Sequence, residues 1–339
     1  MKAIQISHSQ ELNIIDIERP QAPAAGEVLL KLCYVGFCGS DINTFMGRNG
    51  MALNPVIPGH EVGAVIEAVG EGVPDGLKPG MVVTVNPYTN CGKCASCRNG
   101  RVNACQHNET LGVQRNGAMR EMIALPWEKV VPAGLLTPKV CALVEPMSVG
   151  FHAVSRAQVT DIDVVVVIGC GMVGMGAVVR SALRGATVVA ADIDDSKLAL
   201  ARQMGASYTI NTKTEDVHQR LLEITGGFGP DVIIEAVGST VTYQMAVEEV
   251  AFTGRVVCIG YAKAEVSFQT KYFVQKELDI RGSRNAMPQD FRAVIHYLER
   301  GTCPTEALIT KVVRPEEALT AMQWWSQNPG KVFRIIVEF

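Results

Sequence analysis

The run Val164-Val165-Val166-Val167-Ile168-Gly169-Cys170-Gly171-Met172-Val173-Gly174 decides how the rest of the chain is read. Five β-branched apolar residues in succession fit a strand buried on both faces, and the glycines after them fit a tight turn into a helix. In a chain with 32 glycines a bare G-x-G-x-x-G says little; set between a buried strand and a helix start, it points to a dinucleotide. Gly169 permits the turn, Gly171 lets the backbone approach a pyrophosphate, and Gly174 lets helix and strand pack closely. The N–H groups of the first helical turn, which contains Val173, then face the phosphates. A second strand, Thr187–Ala191, runs up to Asp192. A carboxylate there accepts hydrogen bonds from the adenosine ribose and repels a 2′-phosphate, which favours NAD over NADP. Lys197, five residues on, is a cation that tempers this preference. The competing reading is glycine-rich packing beside a surface Asp.

Working outward from that turn, strands alternate with helices: Asp163–Ile168, helix Met172–Arg184, Thr187–Ala191, helix Asp195–Met204, then Asp231–Ala236 and Arg255–Ile259 as buried strands. This alternation predicts a doubly wound parallel sheet of α/β class with helices on both faces. Upstream the pattern changes. Eleven of the sixteen prolines fall between Pro20 and Pro146, and none lies between Met147 and Gly229. Short runs bounded by Gly and Pro (Glu27–Val35, Val62–Val69, Met81–Val85) predict a mainly β domain over 1–150. The dinucleotide domain is placed at 151–288. The tail, 289–339, has helical stretches from Phe291 and around Glu316–Ser326, then a final strand Lys331–Glu338, and is expected to return to the first domain.

Length and composition agree with two domains. The chain has 339 residues, 47% of them hydrophobic and 19% charged, enough apolar surface for large cores. The formal charge is 31 − 34 = −3, so there is no basic footprint, and neither nucleic acid nor an anionic membrane is the expected partner. The longest near-apolar run, Val164 to Val179, is broken by glycines and is too short to span a bilayer. The first residues, Met1-Lys2-Ala3-Ile4-Gln5-Ile6-Ser7-His8, contain no apolar signal region, and a cytoplasmic location is expected.

Four of the ten cysteines, Cys91, Cys94, Cys97 and Cys105, lie within fifteen residues. They are too close together to staple a large fold as disulfides. Four soft sulfur ligands suit a tetrahedral zinc ion and leave no open position, so a structural site is expected in a lobe at about 88–110. Lys93, Arg98 and Arg101 are interleaved with the ligands and offset the charge of four thiolates. A dithiol redox motif and buried free thiols are the rivals, and His107 competes with Cys105 for the fourth place. The remaining cysteines (Cys33, Cys141, Cys170, Cys258, Cys303) read as small core residues.

A second group is scattered: Cys38-Gly39-Ser40-Asp41, Gly59-His60-Glu61 and Val144-Glu145-Pro146. Composition alone does not join these pieces. Their order does. The strings Gly26-Glu27-Val28, Gly36-Phe37-Cys38-Gly39-Ser40-Asp41, Pro58-Gly59-His60-Glu61, the four-cysteine lobe, Leu143-Val144-Glu145-Pro146-Met147-Ser148-Val149-Gly150 and the Gly169 turn follow one another. So arranged, the whole chain resembles the zinc-dependent medium-chain dehydrogenases, and within them the sorbitol (polyol) and sugar-acid branch. The resemblance implies a GroES-like catalytic domain, a Rossmann domain after residue 150, NAD, and two zinc ions per subunit, one catalytic and one structural. It matches Cys38 and His60 to catalytic zinc ligands, and Glu61 and Glu145 to the two acidic positions that complete the shell, one directly and the other directly or through water. Zinc held this way acts as a Lewis acid that lowers the pKa of a bound alcohol. Ser40 matches the hydroxyl that passes the alcohol's proton outward. Two positions depart from the pattern: Asn43 stands where many zinc alcohol dehydrogenases have His, and Gly117–Met122 is a loose version of a common Gly-Gly-Phe-Ala-Glu-Tyr stretch.

The same resemblance places Ile259 (in Ile259-Gly260-Tyr261) and Ser283, Arg284 and Asn285 at the nicotinamide end of the site. A bidentate guanidinium at Arg284 suits a carboxylate or a pyrophosphate; an ordinary surface ion pair is the alternative. The expectation is an oxidoreductase taking a secondary alcohol of a polyol or aldonate to the ketone, as a homodimer or homotetramer. A threonine-dehydrogenase-like or general alcohol dehydrogenase, and a non-enzymatic NAD-binding zinc sensor, stand as alternatives.

Overall fold

Strand and turn chemistry shapes the two units separately. The computed structural model describes residues 1–339. Its strands are β1 (Lys2–His8), β2 (Glu11–Asp16), β3 (Glu27–Phe37), β4 (Glu61–Val69), β5 (Val82–Val85), β6 (Met122–Pro126), β7 (Val130–Pro132), β8 (Val164–Ile168), β9 (Thr187–Asp192), β10 (Tyr208–Asn211), β11 (Val232–Glu235), β12 (Arg255–Cys258), β13 (Asp279–Gly282), β14 (Lys311–Val313) and β15 (Ile335–Glu338). Contacts divide the chain into one unit of Met1–Pro146 with Met287–Phe339 and a second of Met147–Ala286. The helix Val144–Ala157 carries the chain from the first to the second.

In the first unit β3 is the spine. It is eleven residues long and pairs antiparallel with β4, β6 and β15, in a sheet ordered β14-β15-β3-β4-β5-β7 with β6 also on β3. The tail thus docks through β15, whose Ile335 lies opposite Phe37. That strand starts at Ile335 rather than at Lys331, because Pro329 presets the first residue of a short 3₁₀ turn that runs through Lys331. β1 and β2 form a separate antiparallel hairpin. The core gathers Val28, Leu30, Leu32, Phe37, Val62 and Ile66 from the sheet with Met322 and Trp325 from the C-terminal helix Ala318–Gln327. Each such side chain contributes about 1.5–3 kcal/mol by leaving water.

In the second unit six strands pair in parallel in the order β10-β9-β8-β11-β12-β13. Counted within the unit this is 3-2-1-4-5-6, the doubly wound order whose chain reversal opens a crevice at the carboxyl ends of the strands. Four central strands are apolar throughout or nearly so because helices cover both faces. β11 departs from that rule with Glu235, which is completely buried. No helix of the chain is long and apolar enough to cross a membrane.

Candidate active site

Two of the three scattered pieces, Cys38 and His60-Glu61, stand at the end of β3 and the start of β4. β3 ends at Phe37, and Cys38 caps the helix Gly39–Phe45. Asp41, buried in that helix's first turn, accepts the Cys38 N–H at 2.7 Å and also the Gly59 N–H, so one carboxylate ties the two loops together. Gly59 has φ +96, and a Cβ there would press on Met119 and Val35 at 2.8 Å. Only glycine brings His60 to this place. Glu61 opens β4 opposite Gly36, where a Cβ would run into the Glu61 carboxylate.

The outcome is a tight donor group. One ligand atom each of Cys38, His60 and Glu61 lies within 4.8 Å of the other two. Glu61 is 0% exposed, and both its Oε1 and the His60 Nδ1 are buried without hydrogen-bond partners. A sulfur, an imidazole and a carboxylate this close, the last two with buried polar atoms that find no partner, fit a divalent cation of zinc type. Burial opposes a charged imidazole at His60, yet the Cys38 sulfur, then Glu145 and Asp41, hold its pKa well above the usual histidine value. Burial also pushes the Glu61 carboxyl up to about 7, with the Arg334 guanidinium pulling it back.

Glu145 stands in the first turn of the helix Val144–Ala157 and is buried, but it falls outside that close group. Its Oε1 accepts a short hydrogen bond from the Tyr88 hydroxyl. Tyr88 is buried with its ring packed edge-on to Phe291, centroids 6.3 Å apart. Arg334, from the stretch leading into β15, places Nε 2.9 Å from Glu61 Oε2 and donates through Nη1 to the Phe37 carbonyl. Tyr88 and Arg334 escaped the sequence reading, since nothing in their spacing ties them to the ligands. Asp41 carried a usable signal, an acid three residues after a helix cap. The Ser40 hydroxyl is buried without a partner, while the Asn43 amide is committed to the Gly39 carbonyl at 2.8 Å.

In the lobe, the sulfurs of Cys91, Cys94, Cys97 and Cys105 lie within 4.8 Å of one another, and none of the chain's ten cysteines is in a disulfide. His107 is not in this group; its backbone N–H donates to the Cys105 sulfur at 3.3 Å. The Ser96 hydroxyl, then backbone amides, pull the Cys94 thiol down to about 5, whereas burial, then its sulfur neighbours, push Cys97 up to about 11. Four sulfurs so close resist ionising together unless a cation joins them, and the set fits structural zinc. Lys93, Arg98 and Arg101 are exposed, and Arg98 donates to the Lys93 carbonyl at 2.7 Å.

The second unit holds a cavity of about 500 Å³ at the carboxyl ends of its strands, lined among others by Gly169, Gly171, Asp192, Ile193, Lys197 and Val237. Gly169 has φ +94, and Gly174 lies so near it that a Cβ would collide with the Gly169 carbonyl. The Asp192 carboxylate accepts from Ile193 N at 2.7 Å and Asp194 N at 3.1 Å through Oδ1 and from Cys170 N at 2.7 Å through Oδ2, so Oδ2 keeps a lone pair. Val173 and Gly174 sit in the helix Met172–Leu183 and do not line the cavity. Ile259 follows β12, and Ser283, Arg284 and Asn285 follow β13, on the same edge of the sheet but outside that lining. Ser283 N–H bonds the Cys258 carbonyl at 2.9 Å, and Asn285 takes a left-handed conformation, φ +55.

A doubly wound unit with a cavity beside its glycine turn, and a strand-rich unit with one closed and one open metal-ligand group, define a metal-dependent dehydrogenase of two domains. The comparisons narrow the class. Residues 24–135 match the family model of the alcohol dehydrogenase GroES-like domain, and residues 173–300 that of the zinc-binding dehydrogenase. The chain belongs to the zinc-binding alcohol dehydrogenase family. It is 32% identical to L-galactonate-5-dehydrogenase of Escherichia coli K12 over 85% of this chain and 84% of that one. It is 31% identical to sorbitol dehydrogenase of Bacillus subtilis 168 over 99% and 97%. A crystal structure of the alcohol dehydrogenase rspB from Escherichia coli CFT073, complexed with NADH, superposes with a TM-score of 0.91 at 30% identity, covering 100% of this chain and 99% of that one.

Proposed function

We propose that the protein is an NAD-dependent dehydrogenase that oxidises a secondary alcohol of a polyol or sugar acid to the ketone. The observation that carries this reading is the Cys38–His60–Glu61 group: three potential ligands within 4.8 Å, two of them buried with atoms that find no partner in the protein. Zinc held there supplies a Lewis acid that makes a substrate hydroxyl more acidic, and a nicotinamide supplies the hydride acceptor. The chain's own residues do the rest. Cys38 and Glu61 bring negative charge that balances a divalent ion. Arg334 and Gly36 fix the Glu61 carboxylate. Glu145, anchored by Tyr88, is the outer acid of the shell. The Ser40 Oγ accepts the alcohol proton as it passes its own onward, and because the Asn43 amide is committed to a helix carbonyl, water or a ribose hydroxyl is the next acceptor.

The relatives support the substrate class, one being named for a galactonate and another for sorbitol; the NADH of the rspB crystal structure and the Asp192 carboxylate support NAD. Assembly as a homodimer or homotetramer rests on the family resemblance, and a cytoplasmic location on the sequence reading. Arg284 is the residue assigned to a substrate carboxylate. Following absorbance of NADH with matched polyols and aldonates tests both points. Activity on at least one of the two classes is expected, with Arg284→Ala lowering aldonate turnover about tenfold or more relative to the polyol, as loss of a charge-assisted pair implies. An unchanged preference ratio would remove Arg284 from carboxylate recognition. Silence across both classes would remove the reaction.

A further inference from the structure

Glu235 is the anomaly of the parallel sheet. It ends β11, a four-residue strand wedged between β8 and β12, and its side chain is 0% exposed. A carboxylate that deep persists only where hydrogen bonds replace its water. One oxygen, Oε1, collects three donors: Val237 N at 2.9 Å, Gly238 N at 2.7 Å and the Thr242 hydroxyl at 2.8 Å. Those donors belong to the loop after β11 and to the first turn of the helix Thr240–Glu249, which Ser239 caps. Val237, Ser239 and Thr242 line the cavity of the second unit.

The second oxygen, Oε2, has no partner and faces the loop after β12. A Cβ on Gly260 would come within 2.8 Å of it and would also strike the Gly238 backbone. Conversely a Cβ on Gly238, which has φ +80, would lie 2.7 Å from Tyr261 N. The two loops therefore touch backbone to backbone, and two glycines permit it. From the helix, Tyr243 adds its hydroxyl to the Gly260 carbonyl at 2.5 Å. Burial, then the Glu235 carboxylate, pushes the neighbouring Cys258 thiol up to about 11, so it stays neutral.

We infer that Glu235 is a positioning residue for the dinucleotide: its buried carboxylate holds the loop 236–239, and through the Gly238–Gly260 contact the loop 259–261, in the shape that receives the cofactor. This rests on the proposed NAD reading and adds to it a residue that never touches the ligand. The pre-set loop lowers the ordering penalty on binding. Removing the acceptor leaves the Val237 and Gly238 amides unmet, while the Thr242 hydroxyl turns to Ser239, and the loop is free to move.

The experiment titrates the zinc-loaded full chain with NADH, followed by nucleotide fluorescence. Wild type, Glu235→Met and Glu235→Gln are compared. Methionine matches the volume without a comparable acceptor, and glutamine keeps an oxygen where Oε1 stands. Expected are a Kd weakened about tenfold or more in Glu235→Met and within about threefold of wild type in Glu235→Gln, since the lost bonds act on the loop. A Kd for Glu235→Met within twofold of wild type overturns the inference, and so does a glutamine variant as weak as methionine. Failure of wild type itself to bind NADH strikes the cofactor reading instead. Should Glu235→Met not fold, hydrogen exchange on the wild type without nucleotide decides. The Val237 and Gly238 amides, although in a loop, are then as slow as those of β11, and fast exchange there sinks the inference.

Discussion

Arg334 governs how Glu61 meets a metal. Glu61 is fully buried, and the guanidinium 2.9 Å away is what keeps its carboxyl from rising further than about 7. A divalent ion needs that carboxylate and a neutral His60, so it must displace protons that the metal-free site holds. The sign follows directly: zinc affinity falls as pH drops through about 7, because protons then increasingly occupy Glu61, while His60, whose pKa is raised, keeps its own. Arg334→Met removes the pull on Glu61 and moves this fall to higher pH. It also leaves a buried carboxylate unpaired, a loss of about 3 kcal/mol in the metal-free protein. Zinc titration against a chromophoric chelator between pH 6 and about 8.5, a window chosen around the Glu61 value, reads the shift. Superimposable profiles for wild type and variant would remove Arg334 from this role. At this scale the sequence displayed Cys38, His60 and Glu61 as short strings around glycine, but Arg334 and Tyr88 reach the site through sheet pairing and ring packing, which no local spacing records.

Among the elements, the β8 turn was the most legible, because a buried parallel strand and a glycine turn leave a pattern within eleven residues. Strands of three residues such as β7 and β14 were not, since so short a run has no period to read. Nor was the function of Glu235 legible; as a letter at the end of an apolar run it looks like a surface carboxylate. The turn itself offers a sharp contrast between two of its glycines. Gly171 has ordinary extended backbone, φ −73 and ψ −176, and open space where a Cβ would go. Gly174 has the Gly169 carbonyl there instead. Gly171→Ala is therefore expected to keep its stability within about 0.5 kcal/mol while NADH binding weakens, the new methyl standing where a pyrophosphate must approach. Gly174→Ala forces helix and strand apart and loses about 1–3 kcal/mol or more. Urea melts with parallel NADH titrations separate the two outcomes, and equal losses of stability would contradict the assigned roles.

Across the whole molecule, each unit contains its own core and its own candidate site: metal donors in Met1–Pro146 with Met287–Phe339, and the cavity proposed for the dinucleotide in Met147–Ala286. A ligand stabilises what it binds by RT ln(1 + [L]/Kd), about 2.7 kcal/mol at a hundredfold excess over Kd. Zinc and NADH should consequently protect different residues. Urea unfolding followed by pulsed hydrogen exchange gives residue-level midpoints. NADH is expected to raise the midpoint of β8–β13 with the first sheet lagging, and zinc to raise that of β3, β4 and the lobe around Cys91–Cys105. Removing metal with a chelator reverses only the second effect. The open Cys38–His60–Glu61 group should release its ion to the chelator before the four-sulfur lobe does, because a closed set of thiolates leaves no position from which a competing ligand can attack. A single cooperative transition in which both ligands shift every residue equally would show that stability is shared across the chain, and loss of the lobe metal first would reverse the assignment of closed and open sites.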